Sequence, residues 1–271
     1  MPTMFIDTHC HLDAAEFGGA QSDLVRAAEA AGVGCLVVPS VAKANFGIVQ
    51  QLCAQHPGCA TAYGIHPMYT DTAHPDDLAA LRDYLAQPGV VAVGEIGLDF
   101  FIDHYDRACQ EHYFVEQLKL AREFGLPMLL HLRRAQDAIL KHLRQYPVHG
   151  GIAHAFNGSR QQADEFIKLG FKLGFGGAMT YPRATRLREL AATLPLDSIV
   201  LETDAPDIPP DFLERGSPNK PEYLPRIAET LAALRGITLE EVAQATTANA
   251  LAVLPRLSKY NSAPDQDRKT S

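Results

Sequence analysis

The sequence lacks the features that mark secreted, membrane-spanning and thiolate-metal proteins. Its cysteines form an odd set of five without a C-x-x-C pair: Cys10, Cys35, Cys53, Cys59 and Cys109. Such a set fits neither a disulfide framework nor a thiolate zinc site. No window approaches the roughly 18 uninterrupted apolar residues of a membrane helix, and residues 1–11 have neither the basic region nor the apolar run of a signal peptide. We therefore expect a soluble, cytoplasmic protein that does not enter a membrane.

An excess of positive charge is also lacking. The formal net charge is −8 at pH 7, which disfavours a broad basic surface that grips nucleic acid through many phosphate contacts. Any phosphate binding must therefore be local. The sequence indicates no obligate protein partner.

What the sequence does contain is a regular alternation of strand-like and helix-like segments. Apolar runs of strand length occupy residues 4–8, 35–39, 60–64, 90–93, 128–131, 151–154, 171–175 and 199–202. Segments with helical periodicity lie between them at 21–31, 44–55, 76–86, 106–124, 135–145, 161–169 and 183–193. Most of the strand-like runs are continuously apolar, which is typical of a parallel sheet covered by helices on its outer face.

This alternation predicts an α/β fold, a single-domain (β/α)₈ TIM barrel. Two extra C-terminal helices are predicted at 221–234 and 239–254. The barrel domain is expected to span residues 1–257, followed by a polar, flexible tail over 258–271. The main alternative is a doubly wound open sheet, but the glycine-rich phosphate loop that usually follows its first strand is missing.

Histidines and carboxylates stand at the C-terminal ends of the predicted strands, which form the active face of a barrel. The first strand leads into Asp7, His9 and His11, and the two-residue period of a strand places all three on one side. Two surface histidines can occur there by chance, but their position at a strand end favours metal ligands. Asp7 lies deeper, where we expect its carboxylate to orient a ligand imidazole.

Later strands repeat the design. Glu95 follows an apolar run, His131 and His154 end the fifth and sixth strands, and Asp204 stands two residues after Glu202 at the end of the eighth. Taken singly, each has an ordinary alternative: a glutamate paired with a core cation, or a histidine satisfied inside the core. Their recurrence on successive strands favours a shared site.

These positions make one ligand set: His9, His11, Glu95, His131, His154 and Asp204. Four imidazole nitrogens and two carboxylates are enough for two divalent cations per chain. Without thiolates, the set suits borderline or hard cations such as Zn²⁺, Mn²⁺ or Mg²⁺. Because paired cations activate a shared water and clamp the attacking and leaving oxygens, hydrolysis is the predicted reaction class.

Five motifs carry a family resemblance. FIDTHCH, GEIGLDF, LLH, HAFNGS and ETDAP follow one another in this order, starting at residues 5, 94, 129, 154 and 202. Over residues 5–254 the chain resembles the TatD family of metal-dependent deoxyribonucleases and hydrolases, and within it the YjjV-like branch. Jointly the motifs are far more specific than an isolated H-x-H.

The resemblance implies a TIM barrel of the amidohydrolase superfamily with two divalent metals. Carried over by position, His9, His11 and Asp204 would hold the first metal, and His131 and His154 the second. Glu95 would bridge the two. Related amidohydrolases often use a carboxylated lysine as the bridge, so a glutamate at strand four separates this group from them.

Substrate contacts are less well marked. The chain departs from the commonest family pattern at Met68, where a second histidine often stands. His66 is a candidate contact to phosphate or to a ligand, with a structural turn residue as the alternative. A possible basic rim that could meet a phosphate follows strands five, six and eight, and solvation alone is its alternative: Arg133, Arg134, Arg160 and Lys220.

Three functions remain open at this point. The first is a phosphodiesterase acting on DNA, in which Asp204 accepts a proton from a metal-activated water while Glu95 holds the metals. The second keeps the site but hydrolyses a small amide, lactone or phosphoester. The third is a metal-loaded scaffold without turnover, against which the intact ligand set argues.

Overall fold

A computed structural model describes residues 4–102 and 104–260 of the chain. Eight parallel strands form one sheet in the order β1 to β8. They span Phe5–Asp7, Val33–Pro39, Cys59–Tyr63, Ala92–Asp99, Met128–Arg133, Gly151–Ala153, Phe171–Phe175 and Ile199–Leu201. Just beyond β1, the backbone nitrogen of Thr8 donates to the carbonyl of Leu201 in β8 at 3.1 Å. The sheet therefore nearly closes on itself, and the predicted (β/α)₈ barrel is confirmed.

Helices connect the strands as the periodicity predicts. Helices α1 to α7 span Gln21–Ala30, Lys43–Gln55, Pro75–Leu85, Arg107–Phe124, Gln136–Gln145, Arg160–Lys168 and Thr185–Thr193. After β8 come α8 at Leu224–Arg235 and α9 at Leu239–Val253. Capping residues explain where two of the helices begin. Asp106 accepts from the backbone nitrogens of Ala108 and Cys109 at the start of α4, and Thr238 accepts from the Glu241 nitrogen at the start of α9.

The fourth strand differs most from expectation. It was predicted to end at residue 93, but β4 runs through Glu95 to Asp99. Beyond a register shift between Val93 and Ile96, it pairs residue by residue with β5. The glycines that suggest a strand end instead permit close contact: at Gly97, with φ of +149°, an added Cβ would lie 2.0 Å from the carbonyl oxygen of His131. Glu95 therefore lies inside a strand.

Two apolar layers hold the barrel. The larger one packs helices against the outside of the sheet. The smaller one joins inward-facing strand residues such as Ile6, Leu129 and Val200 to Val253 and Leu257, which lie near the C-terminus of the chain. Such burial stabilises by about 1.5–3 kcal/mol for each large apolar side chain.

Helix α9 and the 3₁₀ turn Pro255–Lys259 close the N-terminal end of the barrel. Thr247 donates to the carbonyl of Met4, and Asn249 to that of Ile199, each at or before the start of a strand. Arg256 donates to the Val90 carbonyl in the same way. This cover leaves the opposite end, where the strands finish, as the open face.

No helix in residues 4–102 or 104–260 is long and apolar enough to cross a membrane. The cytoplasmic location stays a prediction. The division into a 1–257 domain and a 258–271 tail also stays a prediction, because residues 261–271 lie outside the described part of the chain.

Candidate metal centre

The side chains at the strand ends surround one cavity of about 900 Å³. This volume lies at the upper end of the range for small-molecule sites. The lining includes five of the six predicted ligands and the predicted contact His66: His11, Glu95, His131, His154, Asp204 and His66. His9 is fully buried directly behind them.

One oxygen of Glu95 faces the first pair of histidines. Its Oε2 lies 3.2 Å from Nε2 of His9 and 3.3 Å from Nε2 of His11. The two imidazole nitrogens are themselves 3.3 Å apart. Asp204 Oδ1 completes the group at 3.8 Å from His9 and 3.6 Å from His11.

The other oxygen of Glu95 faces the second pair. Its Oε1 lies 3.0 Å from Nδ1 of His131 and 3.6 Å from Nε2 of His154. Asp204 Oδ2 approaches His154 Nε2 at 3.9 Å. Glu95 therefore stands between two groups of nitrogens, with one carboxylate oxygen directed to each.

Two further carboxylates accept hydrogen bonds from His131 and His154 on the side of each ring that faces away from Glu95. Glu202 Oε1 accepts from Nδ1 of His154 at 3.1 Å, and Asp99 Oδ2 accepts from Nε2 of His131 at 3.1 Å. Both carboxylates are only 1% exposed. Since each ring gives one N–H to this partner, its opposite nitrogen faces Glu95 and would offer a lone pair to a metal once that nitrogen is deprotonated. Neither role was predicted from the sequence, although Asp99 lies in GEIGLDF and Glu202 in ETDAP.

His66 has a different arrangement. Its Nδ1 accepts from the backbone nitrogen of Met68 at 3.2 Å, so the neutral ring carries its proton on Nε2. Nε2 lies 3.5 Å from Glu95 Oε1. Burial lowers the pKa of His66 to about 4, which keeps the ring neutral. His66 therefore acts as a hydrogen-bond donor toward the centre, whereas a metal ligand would need a free lone pair there.

The buried carboxylates draw positive charge into the centre. Burial alone would raise the pKa of Glu95, but the surrounding imidazoles, including hydrogen bonds from His11 and His131, hold it well below its usual range. Burial raises the pKa of Asp204 to about 6, even though the His154 imidazole opposes the shift. Glu95 is therefore an anion that needs nearby cationic charge.

The imidazoles respond in opposite ways. Burial lowers the pKa of His9 well below its ordinary value, so its ring is neutral and keeps a lone pair. Burial opposes protonation of His11 and His154 as well, but contacts with Glu95 and Asp204, respectively, contribute to raising their pKa values to about 9 and about 10. Protons on these rings supply the cationic charge that a divalent ion would bring.

The residues present fit divalent cations. Within the described residues, two groups bring their ligand atoms within 4.8 Å of one another: His9 with His154 and Asp204, and His9 with His11 and Glu95. His66, Glu95 and His131 are equally close, but the protonated Nε2 of His66 donates there instead of binding a metal. Neutral imidazole and carboxylate are the ligands that Zn²⁺ and Mn²⁺ accept. Among the described residues His9 Nδ1 has no hydrogen-bond partner, and it is Nε2 that faces the cluster.

Asp7 does not have the role predicted for it. Its carboxylate accepts from the backbone nitrogen and the hydroxyl of Thr203, at 3.0 and 2.6 Å, and from the backbone nitrogen of His9. The prediction that it orients an imidazole is therefore wrong. Because two strand ends pass each other here, their backbone donors reach the carboxylate first, and Asp7 ties the end of β1 to the segment after β8.

The predicted basic residues have different surroundings. Arg133 lines the cavity and stacks on Phe101, with Cζ 3.7 Å from the ring centroid, and Arg134 lies 4.6 Å from the same centroid. Arg160 forms an ion pair with Asp164 at 3.0 Å, and Lys220 one with Glu222 at 3.7 Å. Of the arginines and lysines in residues 4–102 and 104–260, Arg133 is the one that contributes to the cavity wall.

Known proteins are similar to this chain in sequence and fold. The family described as TatD related DNase matches residues 6–255. The uncharacterized metal-dependent hydrolase YjjV of Escherichia coli (strain K12) is 42% identical over 248 residues, which are 90% of this chain and 95% of that protein. The 3'-5' ssDNA/RNA exonuclease TatD of Citrobacter rodentium (strain ICC168) is 33% identical over 250 residues, 90% of this chain and 95% of that protein. The crystal structure of the TatD homologue YjjV from Escherichia coli K12 has a TM-score of 0.90 at 41% identity, covering 94% of this chain and 99% of that chain.

A (β/α)₈ barrel whose strand ends gather histidines and carboxylates around one central glutamate is the architecture of a metal-dependent hydrolase. The chain belongs to the TatD family and is a metal-dependent hydrolase of that family. The resemblance carried by the five motifs is thereby confirmed.

Proposed function

We propose that the protein is a two-metal phosphodiesterase that hydrolyses DNA. The observation that carries the proposal is the placement of Glu95, whose Oε2 faces His9 and His11 and whose Oε1 faces His131 and His154. A single tetrahedral site uses only four ligands. Two separate groups around one carboxylate therefore support two ions with Glu95 between them.

The residues divide between two metals as follows. His9, His11 and Asp204 would hold the first, His131 and His154 would hold the second, and Glu95 would contact both. The nitrogen-rich set favours Zn²⁺ or Mn²⁺, with Mg²⁺ as a further candidate. When bound, the pair supplies an activated water and neutralises charge on the phosphoryl oxygens.

Asp204 accepts the proton of the attacking water. Its carboxylate lies between the His9–His11 pair and His154, and it lines the cavity where substrate enters. His66 donates its Nε2–H toward the same space, where it can hold a phosphoryl oxygen. Arg133 adds one positive charge on the wall.

Two further points support DNA over a small amide or lactone. A relative that shares 33% of its residues over 90% of this chain is a 3'-5' ssDNA/RNA exonuclease. The cavity of about 900 Å³ has room for more than a single small leaving group. Because the net charge is −8, affinity for phosphate depends on the metals and on local arginines.

A metal-reconstituted substrate screen tests the proposal. Protein stripped with chelator is reloaded with Mn²⁺, Zn²⁺ or Mg²⁺ and assayed on single-stranded DNA, duplex DNA, RNA and a panel of small amides, lactones and phosphoesters. We expect DNA cleavage that requires metal and is lost in Asp204→Asn but kept in Asp207→Asn, a change at an exposed carboxylate on the same cavity wall. Turnover confined to amides or lactones, or metal binding without any turnover, would overturn it.

A further inference from the structure

Exposed apolar side chains gather at one side of the cavity. Met68, Tyr69 and Phe101 are 39%, 44% and 42% exposed, although large apolar side chains are mostly buried elsewhere in the described chain. Met68 and Tyr69 line the cavity, and Phe101 stacks against the lining residue Arg133. Exposed apolar groups grouped beside a polar site mark a contact surface for a ligand.

The Tyr69 side is held by a short, well-anchored turn. The 3₁₀ helix Pro67–Thr72 starts directly after His66, whose Nδ1 accepts from the Met68 nitrogen. Thr70 is 2% exposed and its carbonyl accepts from the Cys109 thiol of α4. These contacts fix the turn on the α4 side. The Tyr69 ring lies 6.3 Å from the His66 ring, centroid to centroid, and is 44% exposed at the cavity wall.

The Phe101 side is tied to the metal centre itself. The backbone nitrogen of Phe101 donates to Asp99 Oδ1 at 2.9 Å, and the other oxygen of Asp99 accepts from His131. The Arg133 guanidinium lies 3.7 Å from the Phe101 centroid, and Arg134 lies at 4.6 Å. The buried carboxylate of Asp99 thus positions both the His131 imidazole and the exposed Phe101 ring. Two guanidinium groups pack against that ring.

We propose that Tyr69, Phe101, Arg133 and Arg134 form a stacking platform for the unpaired bases of a single-stranded nucleic acid. The inference rests on the proposed phosphodiesterase function and names the residues that would hold the bases of its substrate. Flat aromatic and guanidinium surfaces bind successive bases without reading their sequence, and the guanidiniums also meet the backbone phosphates. In a duplex the bases are already paired and stacked, so the platform selects a single strand.

The Tyr69 turn follows His66, and Phe101 is tied through Asp99 to His131. The rings of His66 and His131 are 4.3 Å apart, centroid to centroid, which places the platform on their side of Glu95. A base stacked on it leaves the neighbouring phosphate within the cavity, next to the ligand cluster. A net charge of −8 disfavours binding of an anionic strand through many phosphate contacts. Stacking of bases over a small area supplies most of the affinity instead.

Abasic substrates test this platform. Two fluorescently labelled oligodeoxynucleotides of equal length are compared, one with normal bases and one with tetrahydrofuran abasic sites in its last three nucleotides at the 3′ end. Binding is measured by anisotropy with chelator-treated protein, and KM and kcat are measured with metal-loaded protein. The variants are Tyr69→Ala and Phe101→Ala, with Tyr69→Phe as the conservative change and Ile48→Ala as the matched control, since Ile48 is 55% exposed on α2.

We expect the wild type to bind the base-bearing strand roughly tenfold or more tightly than the abasic strand. This preference should shrink in Tyr69→Ala and Phe101→Ala through a higher KM with nearly unchanged kcat, and should persist in Tyr69→Phe and Ile48→Ala. Equal binding of both strands by the wild type, or a preference that survives both alanine variants in folded protein, would overturn the platform. If no oligonucleotide is cleaved but the binding preference is present, the phosphodiesterase proposal fails while the platform stands.

Discussion

Glu202 lies directly behind His154, with its Oε1 3.1 Å from the imidazole Nδ1 and in contact with the backbone nitrogen of Ala155. Its other oxygen, Oε2, is buried without a partner among the described residues. The carboxylate thereby sets both the orientation of His154 and the nitrogen that the ring presents to Glu95. A residue two positions before the predicted proton acceptor thus orients a predicted metal ligand.

Purified protein should carry up to two divalent ions per chain, since two groups of ligand atoms surround Glu95. Substituting His131→Ala and His154→Ala together should reduce the metal content to about one ion per chain. Elemental analysis after dialysis measures this, with His56→Ala at the protein surface as the control. Unchanged stoichiometry in the double variant would refute the division into two sites.

Glu95→Gln should impair turnover more than Glu202→Gln, because Glu95, unlike Glu202, has one oxygen directed at each ligand group. Glu202→Gln should instead weaken binding of one metal by about tenfold or more, as loss of a partner behind a ligand histidine typically does. Metal titration followed by kinetics at saturating metal separates the effects. Saturation should restore most of the turnover of Glu202→Gln and little of that of Glu95→Gln. Equal small losses in both would remove Glu95 from the centre.

Asp204→Asn should remain folded and lose roughly 10²-fold or more in kcat, because an amide cannot accept the proton of the attacking water. Steady-state kinetics and circular dichroism of the same preparation provide the measurement, and Asp207→Asn is the control. Near-full turnover in Asp204→Asn would place the proton acceptor elsewhere, and His66 would then be substituted next.

Gly174→Ala should disturb Glu202 without changing any charged group. A Cβ at this position would lie 2.1 Å from Glu202 Oε2, whose carboxylate is held in place by His154 and the Ala155 backbone. We expect the free energy of unfolding to fall by about 1–3 kcal/mol, as overpacking typically causes, together with weaker metal binding like that of Glu202→Gln. Thermal denaturation and metal titration measure the two effects. Gly47→Ala in α2, where the nearest atom would be 3.6 Å away, should show neither.

The sequence alone determined the barrel and the six ligand candidates. Strand runs, helical periodicity and the position of each histidine or carboxylate at a strand end are local properties. In a parallel barrel all strand ends share one face, so residues such as His9 and Asp204, distant in sequence, can be assigned to one site from local pattern alone.

Only the tertiary structure decided which neighbour each polar side chain meets. Asp7 and Glu202 both stand beside a predicted ligand in the sequence, yet Asp7 binds the backbone after β8 and Glu202 binds the imidazole of His154. Likewise Asp99 reaches His131 because β4 continues past Gly97 in register with β5. Hydrogen bonds depend on differences of about 1 Å and on direction, and these are set by the twist and register of neighbouring strands instead of by residue type or spacing.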